Sequence, residues 1–250
     1  MYTHGSLTLT SVPKNYWVAP IVFETWDTHV YDRYIPIKPG MIVIDAGASI
    51  GIFSLYASQK VGPTGKVIAF EPEPTSFNAL AENVAKASNV IPVNMGLHNK
   101  SGTEKLSIQH DLYCCSLFTE SNNTTDVKVE RLDTFLANLG ITHVDFVKID
   151  TEGAAQVIIE GAENLLPNID NFVMELHTNI PEESAQKIEQ LLQKQGFRTK
   201  ITHHYGFIPY LYATRDDSIE FPTIEGWQIA AASGIGLFLL YIATRKRKKK

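Results

Sequence analysis

Cysteine is almost absent from this 250-residue chain: there are 2, Cys114 and Cys115, and they are neighbours. Adjacent thiols cannot staple distant segments, so a disulfide framework is excluded, and no C-x-x-C spacing offers a zinc site. The N-terminus lacks a basic stretch followed by an apolar one, so no secretory signal is legible and the body is expected in the cytoplasm. Internal repeats and low-complexity tracts are missing too, while 44% hydrophobic and 20% charged residues are the proportions of an ordinary core former. Basic charge is scarce outside one place. Six of the 22 Lys+Arg are the last six residues, Arg245 to Lys250, which leaves 16 against 27 Asp+Glu, a balance of −11. An acidic body without a basic groove repels a phosphate backbone, which argues against a nucleic-acid partner.

Just before the basic tail stand 18 uncharged residues, Trp227 to Thr244, with Trp227 and Tyr241 near the two ends. As a helix they reach about 27 Å against a hydrocarbon layer of ~30 Å, enough for a membrane anchor. A helix packed on the domain is the competing reading. Orientation is in conflict, because the absent signal keeps the body in the cytoplasm while the positive-inside rule puts the lysine cluster there as well. A helix lying in the interface, its basic end on anionic headgroups, removes the conflict. The expected organisation is an aromatic-rich N-terminal segment (1–40), an α/β domain (41–215), a linker (216–226), a transmembrane or interfacial helix (227–244) and a basic tail (245–250).

Within the domain, short apolar runs alternate with amphipathic stretches. Strands are predicted at Met41–Ala46, Lys66–Phe70, Val90–Asn94, Val144–Ile149 and Asn171–Leu176, and helices at Ile52–Lys60, Thr75–Ala87 (capped by Thr75), Ala154–Leu166 and Glu182–Gln195. Lys105–Gln109 and Val127–Glu130 read as short excursions, and two last strands lie near Phe197–Ile201 and Phe207–Ala213. Strand and helix alternating at this spacing argue a parallel sheet with helices on both faces.

In such sheets, ligands sit at the carboxyl ends of the strands. The first strand ends in Asp45-Ala-Gly47-Ala-Ser49-Ile-Gly51, a turn whose glycines let the backbone approach a ligand at a helix N-terminus. The second ends in Glu71-Pro72-Glu73-Pro74, twenty residues beyond Gly51, where a carboxylate can accept hydrogen bonds from ribose hydroxyls. Asp45 occupies the place where a dinucleotide fingerprint has its first glycine. An acid there disfavours a pyrophosphate and suits the cationic, phosphate-free S-adenosylmethionine. The adenine is expected near Asn94–Leu97, including Gly96.

The stretches Pro39–Gly51, Ala69-Phe-Glu71-Pro-Glu-Pro74, Val147-Lys148-Ile-Asp150-Thr-Glu152-Gly153-Ala154 and Met174-Glu175-Leu176 resemble the successive signatures of the FkbM family of S-adenosylmethionine-dependent methyltransferases. The likeness runs over roughly 31–201. It implies a class I methyltransferase (Rossmann-like) α/β fold over 41–215, S-adenosylmethionine as cofactor, and an oxygen acceptor on a small molecule, glycan or lipid. One departure is that Ala155 and Gln156 stand where the family commonly has an acid.

Methyl transfer to a hydroxyl needs alignment and a group that takes the proton. Asp150 ends the fourth main strand, Glu152 follows it, and Glu175 and His177 close the fifth. One hypothesis makes Asp150 or His177 the general base; the other has Asp150 with Glu175, and His177 beside them, hold a divalent metal. Glu152 can equally serve as a charge at a helix N-terminus. The cofactor residues are expected to be Asp45, Gly47, Ser49, Gly51, Glu71, Pro72 and Gly96. His203 and His204 read as a surface turn in a hairpin between the last two strands, Cys114–Cys115 as core, and the aromatic segment containing Tyr16 and Tyr31 as a packed layer or a wall of the acceptor pocket. Two other functions compete with a membrane-associated O-methyltransferase whose catalytic domain is cytoplasmic: a non-catalytic tethered binding module, and a nicotinamide-dependent oxidoreductase.

Overall fold

The structure, a computed structural model, describes residues 1–14, 16–108, 115–117, 122–176, 182–204 and 208–221. In chain order the strands are β1 (Tyr2–His4), β2 (Leu7–Leu9), β3 (Ile42–Ala46), β4 (Lys66–Phe70), β5 (Val90–Val93), β6 (Gly96–Leu97), β7 (Gly102–Ser107), β8 (Thr124–Glu130), β9 (Phe146–Ile149), β10 (Asn171–Glu175), β11 (Arg198–His204) and β12 (Ile208–Thr214). The helices are α1 (Val18–Val22), α2 (Ile52–Val61), α3 (Pro74–Val84), α4 (Leu132–Asn138), α5 (Ala155–Glu160) and α6 (Glu182–Lys194), with a π-helical turn at Phe23–Asp27 after α1.

Seven strands form the central sheet in the order β11-β12-β10-β9-β3-β4-β5. From β10 to β5 the neighbours are parallel, whereas β12 runs antiparallel to both β10 and β11. The parallel sheet read from the sequence thus ends in an antiparallel edge, where the last two strands pair as the expected hairpin. Only a short connection joins β11 to β12, and a link that short can close an antiparallel hairpin but not a parallel crossover. The predicted excursions also prove more regular, since β7 and β8 pair over six residues and β6 joins them in a separate three-stranded sheet.

Alternation along each strand sorts the core into two layers. Ile44, Phe70, Val147, Ile149, Phe172 and Met174 face α4, α5 and α6, while Val43, Ala69, Phe146, Val173, Tyr210 and Tyr212 face α2, α3 and the N-terminal segment. Two helix ends differ from expectation. Glu73, not Thr75, caps α3: its carboxylate accepts from the Ser76 amide at 2.6 Å and Pro74 fills the first turn, where a missing N–H costs nothing. The helix expected to run to Leu166 ends at Glu160. Gly161 packs against the chain at His98, where a Cβ would come within 2.0 Å of the His98 carbonyl oxygen.

The N-terminal segment is stitched to the domain. The β1–β2 hairpin and α1 bury Leu7, Leu9, Val18 and Val22 against Ile50, Ile52 and Ala79. Asn83 accepts from the amides of Thr10 and Ser11, both at 2.8 Å, and donates to the Ser11 and Ile50 carbonyls. Among the described residues no helix is long and apolar enough to cross a membrane. The C-terminal hydrophobic helix predicted at 227–244 and the basic tail lie outside the described residues.

Candidate active site

At the carboxyl ends of β3, β4 and β9 the chain encloses about 1030 Å³ of empty space, open solvent at the mouth included. The lining of this hollow joins Gly47, Ser49, Glu71, Pro72, Gly96, Asp150 and Glu152, residues spread over more than a hundred positions of sequence. Gly47 is in the left-handed region at φ +78°, and a Cβ there would lie 1.9 Å from the Asp150 carbonyl oxygen, so no other residue fits. Ser49 (φ 50°) and Glu152 (φ 49°) hold the same left-handed conformation without being glycine, a strain of order 1 kcal/mol each that clusters at functional sites.

Glu71 closes one wall. Its carboxylate accepts from the Ser49 and Glu73 amides, both at 2.8 Å. Burial pushes this carboxyl up to about 7, against the pull of those two amides. Beside it, Met95, Gly96 and Leu97 supply an apolar edge at the expected adenine position.

Asp45 is placed differently from the sequence expectation. Register sets it directly opposite Lys148 on the neighbouring strand, and alternation points both into the layer that faces α2. There Lys148 Nζ lies 3.1 Å from Asp45 Oδ1, 3.7 Å from Asp150 Oδ2 and donates to the Gly47 carbonyl at 2.8 Å. Ser54 donates to the other Asp45 oxygen at 2.6 Å. With no exposed surface, Asp45 does not line the hollow. It anchors the lysine that ties down the glycine turn. Burial pulls the Lys148 ammonium down, but Asp45 and Asp150 outweigh it and hold it above its ordinary value, so it stays charged. Gly51 likewise lies outside the lining; it packs against Leu80 and precedes α2.

Asp150 faces the hollow, with its side chain 29% exposed. Tyr31 donates its hydroxyl to Asp150 Oδ2 at 2.9 Å. The Tyr31 ring meets Phe53 and Tyr210 edge-on, and the Lys148 ammonium sits over it at 5.4 Å. Burial first, then the carboxylates of Asp150, Glu24 and Glu175, push the Tyr31 phenol well above its ordinary value, so it remains a donor. Glu175 lies next door, accepting from the Tyr210 hydroxyl at 2.7 Å, and Tyr210 also bonds Glu24. The other expected base, His177, lies outside the described residues. Among those described, the one cluster with metal-ligand character is His143, Asp145 and Asp170, which precede β9 and β10 at the amino ends of these strands, away from the hollow.

Sequence reasoning missed Lys148, Glu24 and Thr25, whereas Tyr16 and Tyr31 belong to the aromatic segment that it offered as a wall of the pocket. A lysine inside the apolar run Val144–Ile149 was the available signal, since a buried ammonium demands a partner. Glu24 and Thr25 had none of their own, because with Tyr16, Ile21 and Tyr31 they reach the hollow only through the folding back of the N-terminal segment. That segment thus forms a wall of the site, and Tyr16 fixes it to the glycine turn through a 2.6 Å hydrogen bond with Ser49. Cys115 also lines the hollow, while Cys114 lies outside the described residues. His204 is not at a surface: it is 4% exposed, 2.9 Å from the Tyr212 hydroxyl, and burial pushes it down to about 4.

Residues 45–199 match the model of the methyltransferase FkbM domain. This chain belongs to the FkbM methyltransferase family. Among its relatives is methyltransferase sdnD of Sordaria araneosa, 29% identical over 211 residues, which span 70% of this chain and 80% of sdnD. Another is the 31-O-demethyl-FK506 methyltransferase FkbM of Streptomyces tacrolimicus, 24% identical over 209 residues, 70% of this chain and 79% of that one. Fibrillarin of Aeropyrum pernix, solved with natively bound S-adenosylmethionine, superposes with a TM-score of 0.51 at 17% identity, covering 74% of this chain and 72% of that one. That likeness shows the shared class I fold. The FkbM chain described here is a methyltransferase with S-adenosylmethionine as its cofactor, and the hollow fits that group: its floor is a glycine turn with no room for a Cβ, and a buried carboxylate closes one side.

Proposed function

We propose that this FkbM protein is an O-methyltransferase acting on a hydroxylated small molecule, glycan or lipid, with Asp150 as general base. The observation that carries the reading is the Asp150 carboxylate, held by Tyr31 and Lys148 in the same hollow as Glu71 and the glycine turn. When bound, S-adenosylmethionine supplies a methyl group on a sulfonium. Gly47 and Ser49 would hold its amino-acid end, Glu71 its ribose, and Pro72 with Gly96 its adenine. Asp150 takes the proton of the acceptor hydroxyl as the oxygen–carbon bond forms and the carbon–sulfur bond breaks. Positioning and proton removal are the main demands of such a displacement, the latter contributing about 10²–10⁴ in rate. Glu152 lines the same hollow and is the second candidate to handle that proton. The name of the Streptomyces relative, a 31-O-demethyl-FK506 methyltransferase, supports oxygen as the acceptor atom.

The test is a heat-shift titration with S-adenosylmethionine together with label transfer from the radioactive cofactor into cell extract. A stabilising response, and labelled products whose methyl group survives mild base as an ether, are expected. Asp150→Asn should keep the response and lose about 10²–10⁴ of the transfer. No response in the intact protein rejects the reading, and unchanged transfer in the variant removes Asp150 from it.

Attachment to a membrane through 227–244, with the catalytic body on the cytoplasmic side, is part of the same proposal and is supported by the uncharged run and the basic tail. Flotation of the full chain with anionic vesicles, against a chain ending at Phe221, checks it; equal flotation rejects it.

A further inference from the structure

We propose that Tyr31, delivered by the N-terminal segment, is a positioning residue for Asp150, so that the residues before the first strand of the central sheet complete the catalytic machinery. The inference rests on the reading of Asp150 as the base and adds what makes it one. Tyr31 is 4% exposed and spends its single hydroxyl proton on Asp150 Oδ2 at 2.9 Å. The same oxygen faces Lys148 Nζ at 3.7 Å. A hydrogen-bond donor and a cation thus converge on one carboxylate oxygen and hold it in place beside the hollow. The phenol cannot swing away, because its ring is wedged between Phe53 and Tyr210, with centroids at 5.3 and 5.7 Å.

The site asks for such a device. The charged and titratable groups around Asp150 include Lys148, Asp45, Glu24, Glu71, Glu152, Glu175 and Tyr210, so five of these neighbours are carboxylates and one is an ammonium. Neighbouring carboxylates favour the protonated form of Asp150, which cannot take a proton; a hydrogen-bond donor favours the ionised form. Lys148 is shared with Asp45, whereas Tyr31 gives its hydroxyl proton to Asp150. A tyrosine that only packed would serve equally well as phenylalanine.

The experiment follows the Asp150 carboxyl directly. The full chain, labelled with [γ-¹³C]aspartate, is titrated by NMR, and the Asp150 signal is identified by its loss in Asp150→Asn. In Tyr31→Phe the midpoint should rise by about one pH unit, a tenfold gain in proton affinity. The acid limb of labelled-methyl transfer should move with it. An unmoved midpoint overturns the proposal, as does an acid limb that stays in place while the midpoint moves. Should the phenylalanine variant fail to fold, 3-fluorotyrosine at position 31 is the alternative. Its more acidic phenol donates more strongly and should lower the midpoint; a rise or no change overturns the proposal. The midpoint needs no turnover, so this outcome is separate from the loss of activity in Asp150→Asn that tests the base itself.

Discussion

Lowering the pH from 8 to 6 should weaken S-adenosylmethionine binding by about tenfold, and Glu71 is the cause. Burial holds its carboxyl at about 7 in the cofactor-free protein. Ribose hydroxyls donate to a carboxylate, so the ionised form is the one that binds. If only that form is competent, the apparent Kd rises by a factor of about 11 at pH 6 and about 1.1 at pH 8. The sign for stability runs the other way. A carboxyl whose folded value lies above its unfolded 4.5 keeps a proton that the unfolded chain has lost. Stability is therefore greatest below pH 4.5 with respect to this group and falls as pH climbs to about 7, by about 3 kcal/mol in all. Calorimetric titrations at pH 6, 7 and 8 read the affinity, and buffers of different ionisation enthalpy read the proton released. Because the ligand's own α-amino group titrates at about 7.7–8.0, Glu71→Gln is the necessary reference. That variant should bind more weakly at pH 8, lose the slope between pH 6 and 7, and gain thermal stability at pH 8 but not at pH 4.5. A wild-type Kd that is flat from pH 6 to 8, or a Gln variant with the same slope, refutes the reasoning.

Lys148→Met leaves Asp45 buried without its cation and should cost about 3–5 kcal/mol in chemical denaturation, part of which Asp45→Asn recovers when added. Full stability in the single variant would contradict the pairing. Gly47→Ala places a Cβ 1.9 Å from the Asp150 carbonyl oxygen at a positive φ, so thermal unfolding should begin at least about 5 °C lower and cofactor affinity should fall with it. Tyr16→Phe removes the hydrogen bond to Ser49 and should weaken cofactor binding about threefold to tenfold in calorimetry while changing stability by less than about 1 kcal/mol.

Much of the binding side was legible in the chain by itself. Apolar runs ending in Gly47 and in Glu71 announce a crevice at strand ends, because periodicity and the backbone freedom of glycine act over a few residues. The strands at Ile42–Ala46 and Lys66–Phe70 lie within the predicted runs for the same reason. Acid placement was harder to read. Asp45 and Asp150 are both strand-end carboxylates in sequence, yet one is sealed under the turn and the other opens into the hollow. The difference is a matter of register: β3 and β9 pair so that Asp45 stands opposite Lys148, while Asp150 lies past the last paired residue.

Length and pattern thus determined the sheet, the order of its parallel strands' helices and the glycine turn with its partner Glu71. Only the tertiary structure decided which carboxylate meets a cation, that β12 inserts antiparallel between β10 and β11, that His204 is interior, and that Tyr31 and Glu24 belong to the site. Local preferences are written in neighbouring residues. Contacts between a residue near position 30 and one at 150 depend on how whole layers close on each other, and no window of sequence contains both.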